Sequence, residues 1–445
     1  MKIIVCGSGP TGVAICKYLS EEAHEIVLID SDKERLSDMN MTMDIRTIVG
    51  NASYPDVLQK AGADRADILI AVTDDDALNM MICQMAKTVF HVPLKIARLR
   101  CKEYGKPAFQ KSLPADILIS PEDEIVSSIL YNLKVSGALE VVPLANSKVS
   151  FLGMLCAQGA ALDGISLKSF FQKYGDSFIK MIKIIRAGAE LPLQPETKIQ
   201  SGDEVYFMTS GKTVEKAVRL FQPESFRMRR LMIFGAGSIG FPLALRLEAE
   251  KYPYQVTLIE KDVRRAKEIS EKLSNTLVFG GGAFNMNLLN EAQIQNTDVS
   301  IALTSDDEHN ILMSIVAKKN GVKRTYTLLG KSDYDSFVRE LGTDVVIDAS
   351  SVAVSTVLRH IHKQEVKTAY SLQSNIGEII VASVTAQSKS VGKKALEMKI
   401  NGGLLCCLFR KGKLMKLTKK TVIKEKDDLV LFLNTGFDRQ IEKIF

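Results

Sequence analysis

Ile3-Ile4-Val5-Cys6-Gly7-Ser8-Gly9-Pro10-Thr11-Gly12 opens the chain, and Leu231-Met232-Ile233-Phe234-Gly235-Ala236-Gly237-Ser238-Ile239-Gly240 repeats its pattern more than two hundred residues later. Each stretch is a short apolar run followed by G-x-G-x-x-G, which reads as a first strand turning into a first helix. Small residues at such a turn let the backbone approach a pyrophosphate. The helix N-terminus adds free N–H groups and the positive end of its dipole. One match of this kind is a weak signal. Two in equivalent settings point to a duplicated chain.

Working outward, strand and helix patterns alternate in the α/β manner. Strands are expected at 2–6, 25–30, 47–49, 68–72, 95–99 and 116–119, and helices at 11–22, 32–39, 55–61, 76–88 and 121–133. The run at 68–72 (ILIAV) is apolar throughout, as a parallel strand covered on both faces should be. The second half repeats the order, with strands at 256–260, 277–279, 299–303 and 345–347 and a helix at 351–362. Gly7 pairs with Gly235 at a shift of 228, while Thr73 pairs with Thr304 and Asn79 with Asn310 at 231. So small a drift over many elements marks an internal repeat.

A different pattern follows each α/β unit. Short strand-like runs at 139–142, 180–186 and 204–208, then at 378–384, 404–409 and 428–433, are broken by turn residues. Both sets carry a turn-plus-acid step, Ser201-Gly202-Asp203-Glu204 and Glu425-Lys426-Asp427-Asp428. The expected fold class is therefore α/β, with two Rossmann-like parallel-sheet domains (1–136 and 228–364), each followed by a small α+β domain (137–222 and 365–445). Gln222-Pro223-Glu224-Ser225 reads as the linker between halves.

Composition limits the function. At 445 residues the chain exceeds what one core usually supports. Hydrophobic content of 46% and charged content of 25% are ordinary for a globular protein. No apolar run approaches the roughly 18 residues that span a bilayer, and with the first strand starting within two residues no signal peptide is expected. A net charge of +6 is mild and gives no reason to expect nucleic acid as a partner. Lys411, Lys413, Lys416, Lys419, Lys420 and Lys424 cluster near the end, which reads as a solvated hairpin surface. The seven cysteines show no C-x-x-C pair and no metal-ligand spacing, so buried thiols in a reducing cytoplasm are expected and no metal.

The candidate site is built around the two turns. In a dinucleotide fold an acid at the end of strand two accepts hydrogen bonds from the adenosine ribose. Asp30 lies 18 residues after Gly12, and Glu260 lies 20 after Gly240. A carboxylate there repels a 2′-phosphate, which favours NAD or NADH over NADP and leaves ATP and ADP open. Asn51, followed by Ala52, stands where a side-chain oxygen can accept from the adenine amino group. Its counterpart Gly282 has no such oxygen, so the second pocket is expected to take NAD, ATP or ADP differently or weakly, or to stay vacant. Thr73, Asp74 and Thr304 sit past strand four, where their side chains either reach a ribose or phosphate or cap the next helix. Arg98, or Arg100, either meets a phosphate or forms salt bridges.

No acid–base constellation for catalysis emerges. His24 and His91 fall in loops, His309 opens a helix, and His360 and His362 lie two apart on one. There is no G-x-S-x-G, no H-E-x-x-H and no Walker lysine. No catalytic residue is therefore assigned. An NAD-dependent oxidoreductase with a duplicated cofactor domain stands as the alternative.

The ordered set CGSGPTG, IVLIDSD, VGNASYPDVL, KAGADRADILIAVTDDDALNM and KIARLR closely resembles the N-terminal domain of the regulator-of-potassium-conductance (RCK, or KTN) family, and the tail segments resemble its C-terminal companion. Two such pairs in one chain resemble the regulatory subunits of Trk-type potassium uptake. The resemblance implies a cytoplasmic, non-enzymatic subunit, peripheral at the inner face of the membrane. It would assemble as a homo-oligomeric ring, a homotetramer or homodimer, beneath a Trk-type potassium-transporting membrane protein or another cation transporter. Helices 121–133 and 351–362 are the expected exchanged or hinged elements.

Overall fold

The computed structural model describes the chain apart from residues 22–23, 102–103, 105, 111, 136, 146, 176–178, 223–228, 251, 331–334, 362–365, 373–375, 416, 435–443 and 445. His362, Lys416 and the linker residues Pro223, Glu224 and Ser225 lie outside the described residues.

The first unit runs β1 (Lys2–Cys6), α1 (Pro10–Glu21), β2 (Glu25–Asp30), α2 (Lys33–Thr42), β3 (Arg46–Val49), α3 (Pro55–Ala61), β4 (Ile68–Ala71), α4 (Asp76–Thr88), β5 (Leu94–Arg98), α5 (Pro107–Gln110), β6 (Ile117–Ile119) and α6 (Pro121–Lys134). Its parallel sheet has the order β3-β2-β1-β4-β5-β6. The order reverses between β1 and β4, which opens the crevice that holds the first glycine turn. Every residue of β4 is buried, which accounts for its unbroken apolar run. Local chemistry starts the helices. Asp32 and Asp75 each accept two backbone N–H groups at the heads of α2 and α4, and Pro55 and Pro121 supply the preset φ of a first turn.

The first small unit comprises β7 (Ala138–Leu144), β8 (Val149–Leu155), α7 (Leu167–Tyr174), β9 (Ile179–Arg186), β10 (Ala189–Leu191), β11 (Glu204–Ser210) and α8 (Val214–Phe221), with an antiparallel sheet ordered β10-β9-β11-β8-β7. The second parallel unit repeats the first. It runs β12 (Arg230–Phe234), α9 (Gly240–Ala249), β13 (Gln255–Glu260), α10 (Val263–Ser270), β14 (Leu277–Gly280), α11 (Met286–Glu291), β15 (Val299–Ala302), α12 (Asp307–Lys319), β16 (Arg324–Leu329), α13 (Asp335–Glu340), β17 (Val345–Asp348) and α14 (Ala349–Ile361), in the order β14-β13-β12-β15-β16-β17. The second small sheet is β18 (Val366–Ser371), β19 (Glu378–Ser383), β20 (Gly403–Arg410), β21 (Lys413–Met415) and β22 (Asp427–Leu433), ordered β18-β19-β22-β20-β21. Strands β8, β10, β16, β18 and β21 add to those expected from the sequence.

The crossover helices are exchanged between the two halves of the chain. Ile125, Val126, Ile129, Leu130 and Leu133 of α6 share a core with Leu243, Ala244 and Leu247 of α9. Val354, Val357, Leu358 and Ile361 of α14 share one with Ile15, Cys16 and Leu19 of α1. The small sheets face each other through Leu144, Phe151 and Tyr206 on one side and Ile379, Phe409 and Phe432 on the other. The turn-plus-acid steps are structural. Fully buried Asp203 takes a two-pronged bond from Arg186 at 2.7 and 2.8 Å, and fully buried Asp427 takes one from Arg410 at 2.8 and 2.7 Å.

Candidate nucleotide site

Two of the three glycines in each turn are required by the backbone. Gly7 has φ +111° and Gly235 φ +94°, the left-handed half of conformational space. A Cβ on Gly12 would stand 1.9 Å from the carbonyl oxygen of Gly7, and one on Gly240 would stand 1.9 Å from that of Gly235. Helix and strand therefore pack too closely there for any side chain. The middle glycines differ: a Cβ on Gly9 or on Gly237 would meet no atom of the chain within 4 Å. Among the described residues, no packing contact demands glycine at these two positions. They line the open side of the turn, where a pyrophosphate would need the backbone bare. The turns also differ from each other. Helix α1 begins at Pro10, followed by Thr11, and Pro10 has no N–H to offer. At the matching place the second turn has Ser238, followed by Ile239, before α9 begins at Gly240.

The strand-end acids latch the turns. One oxygen of Asp30 accepts from the backbone N–H of Ser8 at 2.5 Å and the other from that of Asp32 at 2.9 Å. Glu260 does the same, accepting from Ala236 at 2.9 Å and from Asp262 at 3.0 Å. Burial works to raise the pKa of Asp30, but the N–H groups of Ser8 and Asp32 and the charge of Arg35 outweigh it and hold the carboxyl below its usual value. In the second unit Arg265 also donates to the carbonyl of Ala236, at 2.9 Å through one amine.

Beyond β4, the cap of α4 falls to Asp75 and that of α12 to Asp306, so Thr73 and Thr304 are not the capping residues. Their partner is an asparagine buried completely. Asn79 accepts from the Thr73 N–H at 2.9 Å and its hydroxyl at 2.7 Å, and donates to the carbonyls of Thr73 at 3.1 Å and Arg98 at 3.0 Å. Asn310 repeats this with Thr304 and Leu328. Each asparagine clamps the ends of two neighbouring strands at the lip of the crevice. Its recurrence at the repeat interval was the signal in the sequence.

Asn51 accepts from the N–H of Ser53 at 2.9 Å and its hydroxyl at 2.8 Å, and Ala52 beside it is buried. Arg98 is drawn into an ion pair with Glu122 at the head of α6 and is 12% exposed. Arg100 pairs with Asp74 at 2.7 Å. Arg100, Ser120 and Glu122 then form one wall of a cleft of about 250 Å³ whose other wall carries Gly237, Ser238 and Arg265. The second turn thus opens onto the first unit. A larger cavity of about 590 Å³ lies between α6, α14 and the small sheets, and neither glycine turn lines it.

The histidines among the described residues do not converge. His309 bonds Asp306 at 2.9 Å and sits beside the ring of Phe284, and His360 is exposed on α14. Among the described residues no cluster of His, Cys, Asp and Glu could hold a metal, and no helix is long and apolar enough to cross a membrane.

Comparison with known proteins follows this anatomy. The TrkA-N domain family model matches residues 3–121 and again 231–349. The Trk system potassium uptake protein TrkA of Vibrio alginolyticus is 35% identical over all of this chain and 98% of its own length, and that of Azorhizobium caulinodans is 31% identical with the same coverage. Among solved structures, the GsuK RCK domain covers 99% of the chain, with 94% of its own length matched, at a TM-score of 0.63 and 16% identity. The GsuK channel bound to NAD covers 100%, with 78% of its own length matched, at 0.62 and 16% identity. These two share the fold of this chain. The whole-length kinship and the doubled TrkA-N domain place the chain in the TrkA family of Trk system potassium uptake proteins.

Proposed function

We propose that this chain is the nucleotide-binding regulatory subunit of a Trk-type potassium-transporting membrane protein. It works in the cytoplasm at the inner face of the membrane, as a homo-oligomeric ring. NAD or NADH lodges against the first turn, with the phosphates over Gly7, Ser8, Gly9 and the head of α1, the ribose on Asp30 and the adenine beside Asn51. The second turn, with Glu260, takes NAD, ATP or ADP less tightly.

The observation that carries the reading is the pair of open middle glycines, Gly9 and Gly237, which leave the backbone of both turns bare toward a ligand. Relatives named for potassium uptake over their full length, and a fold neighbour bound to NAD, support it. Gating requires that the nucleotide bind one ring conformation better than another, and each tenfold difference biases the equilibrium by about 1.4 kcal/mol. Calorimetric titration of NADH, NAD, ATP and ADP tests the reading. Heats for none of the four contradict it. Co-purification with a different cation transporter would reassign the partner and leave the site intact.

A further inference from the structure

The two glycine-turn helices are wired differently. On α1, Tyr18 stands about two turns beyond Thr11, and its hydroxyl donates to Glu378, 360 residues away, at 2.5 Å. Glu378 is 3% exposed and opens β19 of the second small sheet. Around that bond Ile15, Cys16 and Leu19 of α1 share one apolar core with Ile380 of β19 and Leu429 of β22. The first parallel unit and the second small sheet are thus packed as one body.

Among the described residues the repeat shows no such link from α9. The residue at shift 228 from Tyr18 is Arg246, which donates to Ser127 on α6 at 2.9 Å. The place of Glu378 is taken by Val149: Glu378 opposes Ser371 and Leu433, and Val149 opposes Leu144 and Ser210 in the same sheet positions. The first small sheet keeps a core of its own, with Phe170, Phe207 and Phe221 at its centre. Among the described residues, the helix of the first turn reaches a small sheet through a buried polar bond and the helix of the second bonds a crossover helix; the second unit meets the first small sheet elsewhere, where Arg324 of β16 donates to the Ala138 carbonyl of β7.

We infer that Tyr18 and Glu378 form the positioning pair through which a nucleotide at the first glycine turn alters the second small sheet. The inference rests on the proposed nucleotide reading. A ligand that draws in the head of α1 moves a rigid helix whose far half is tied to β19. The phenol–carboxylate bond fixes the helix in rotation and translation, which apolar packing alone does less sharply.

The test measures amide hydrogen exchange in β19 of the full chain, with and without saturating NADH, beside calorimetric NADH affinity and the thermal midpoint. The wild type is expected to slow in β19 when NADH binds. Tyr18→Phe should keep its NADH affinity within about twofold and lose most of that slowing. Glu378→Gln, whose amide oxygen still accepts, should retain it. Glu378→Leu serves as a second uncoupling variant if the phenylalanine variant loses its fold. Full slowing in Tyr18→Phe or Glu378→Leu overturns the inference, as does a wild type that binds NADH without change in β19. A wild type giving no NADH heat overturns the nucleotide reading itself, and the coupling with it.

Discussion

The backbone N–H of Ser8 donates to the carboxylate of Asp30 at 2.5 Å, so the acid that ends β2 also holds the glycine turn that ends β1. Removing it should loosen the turn and delete the proposed ribose acceptor together. Hydrogen bonds to a charged group contribute about 1.5–3 kcal/mol, so Asp30→Ala should weaken NADH binding roughly 10- to 100-fold. Glu260→Ala should change the total NADH heat less. A larger loss at Glu260 would reverse the ranking of the two pockets.

The glycines separate folding from binding. Gly12→Ala drives a Cβ against the Gly7 carbonyl and should destabilise the protein by about 2 kcal/mol or more. Gly9→Ala meets open space and should leave the melting temperature within a degree or two while reducing nucleotide affinity severalfold. Thermal unfolding paired with titration reads both. A stable Gly12 variant with intact binding would contradict the packing account.

Asn79→Ala leaves the N–H of Thr73 and the carbonyl of Arg98 without their buried partner. Each unsatisfied group costs about 1–3 kcal/mol, so a loss of roughly 2–6 kcal/mol is expected in chemical denaturation. Asn310→Ala should behave alike, since its bonds repeat those of Asn79.

Acid should destabilise the fold in a defined window. Burial raises the pKa of Asp298, but Lys323 and the N–H groups of Arg229 and Arg230 outweigh it, and Asp30 is likewise held low. A carboxyl depressed in the folded state adds stability above its unfolded value of about 3.9, and that stability is lost as pH falls through the folded value. Melting temperature should therefore change little between about pH 7 and 5 and fall below about pH 4. Asp298→Asn should flatten that fall, and an unchanged profile would remove it as a contributor.

Cysteine chemistry gives an independent check on burial. Burial pushes the thiols of Cys16, Cys83 and Cys407 up to about 12, whereas Cys101 is exposed. A thiol reagent should label about one cysteine per native chain quickly and the others only on unfolding. Fast labelling of several would show that the units open readily.

The parallel units were legible where local signals coincide. An apolar strand, a glycine turn and an acidic or proline helix start agree from β1 to α4. Strand β16 escaped because Arg324, Thr325 and Thr327 read as polar. They are nonetheless buried, with Thr325 bonded to Asp344 and Thr327 to Ser314. Strand β8 has no alternation because nearly all of it is buried, and Gly153 lies against the ring of Tyr206. The apolar faces of α6 and α14 were visible, but a stripe of leucine and valine does not name its partner. That each crosses to the other half, and that Tyr18 meets Glu378, depends on contacts between distant segments that no local pattern encodes. The same holds for Arg98, whose partner Glu122 is set by how β5 meets the head of α6.

The most direct test is an NADH titration of wild type and Asp30→Ala under one set of conditions, with cofactor absorbance followed in parallel. The expected result is saturable wild-type binding, at least about tenfold weaker in the variant, with the absorbance unchanged for hours. Equal affinity in both proteins, or steady oxidation of NADH when a small carbonyl compound is added, would contradict a nucleotide that is held at the first turn and sensed rather than consumed.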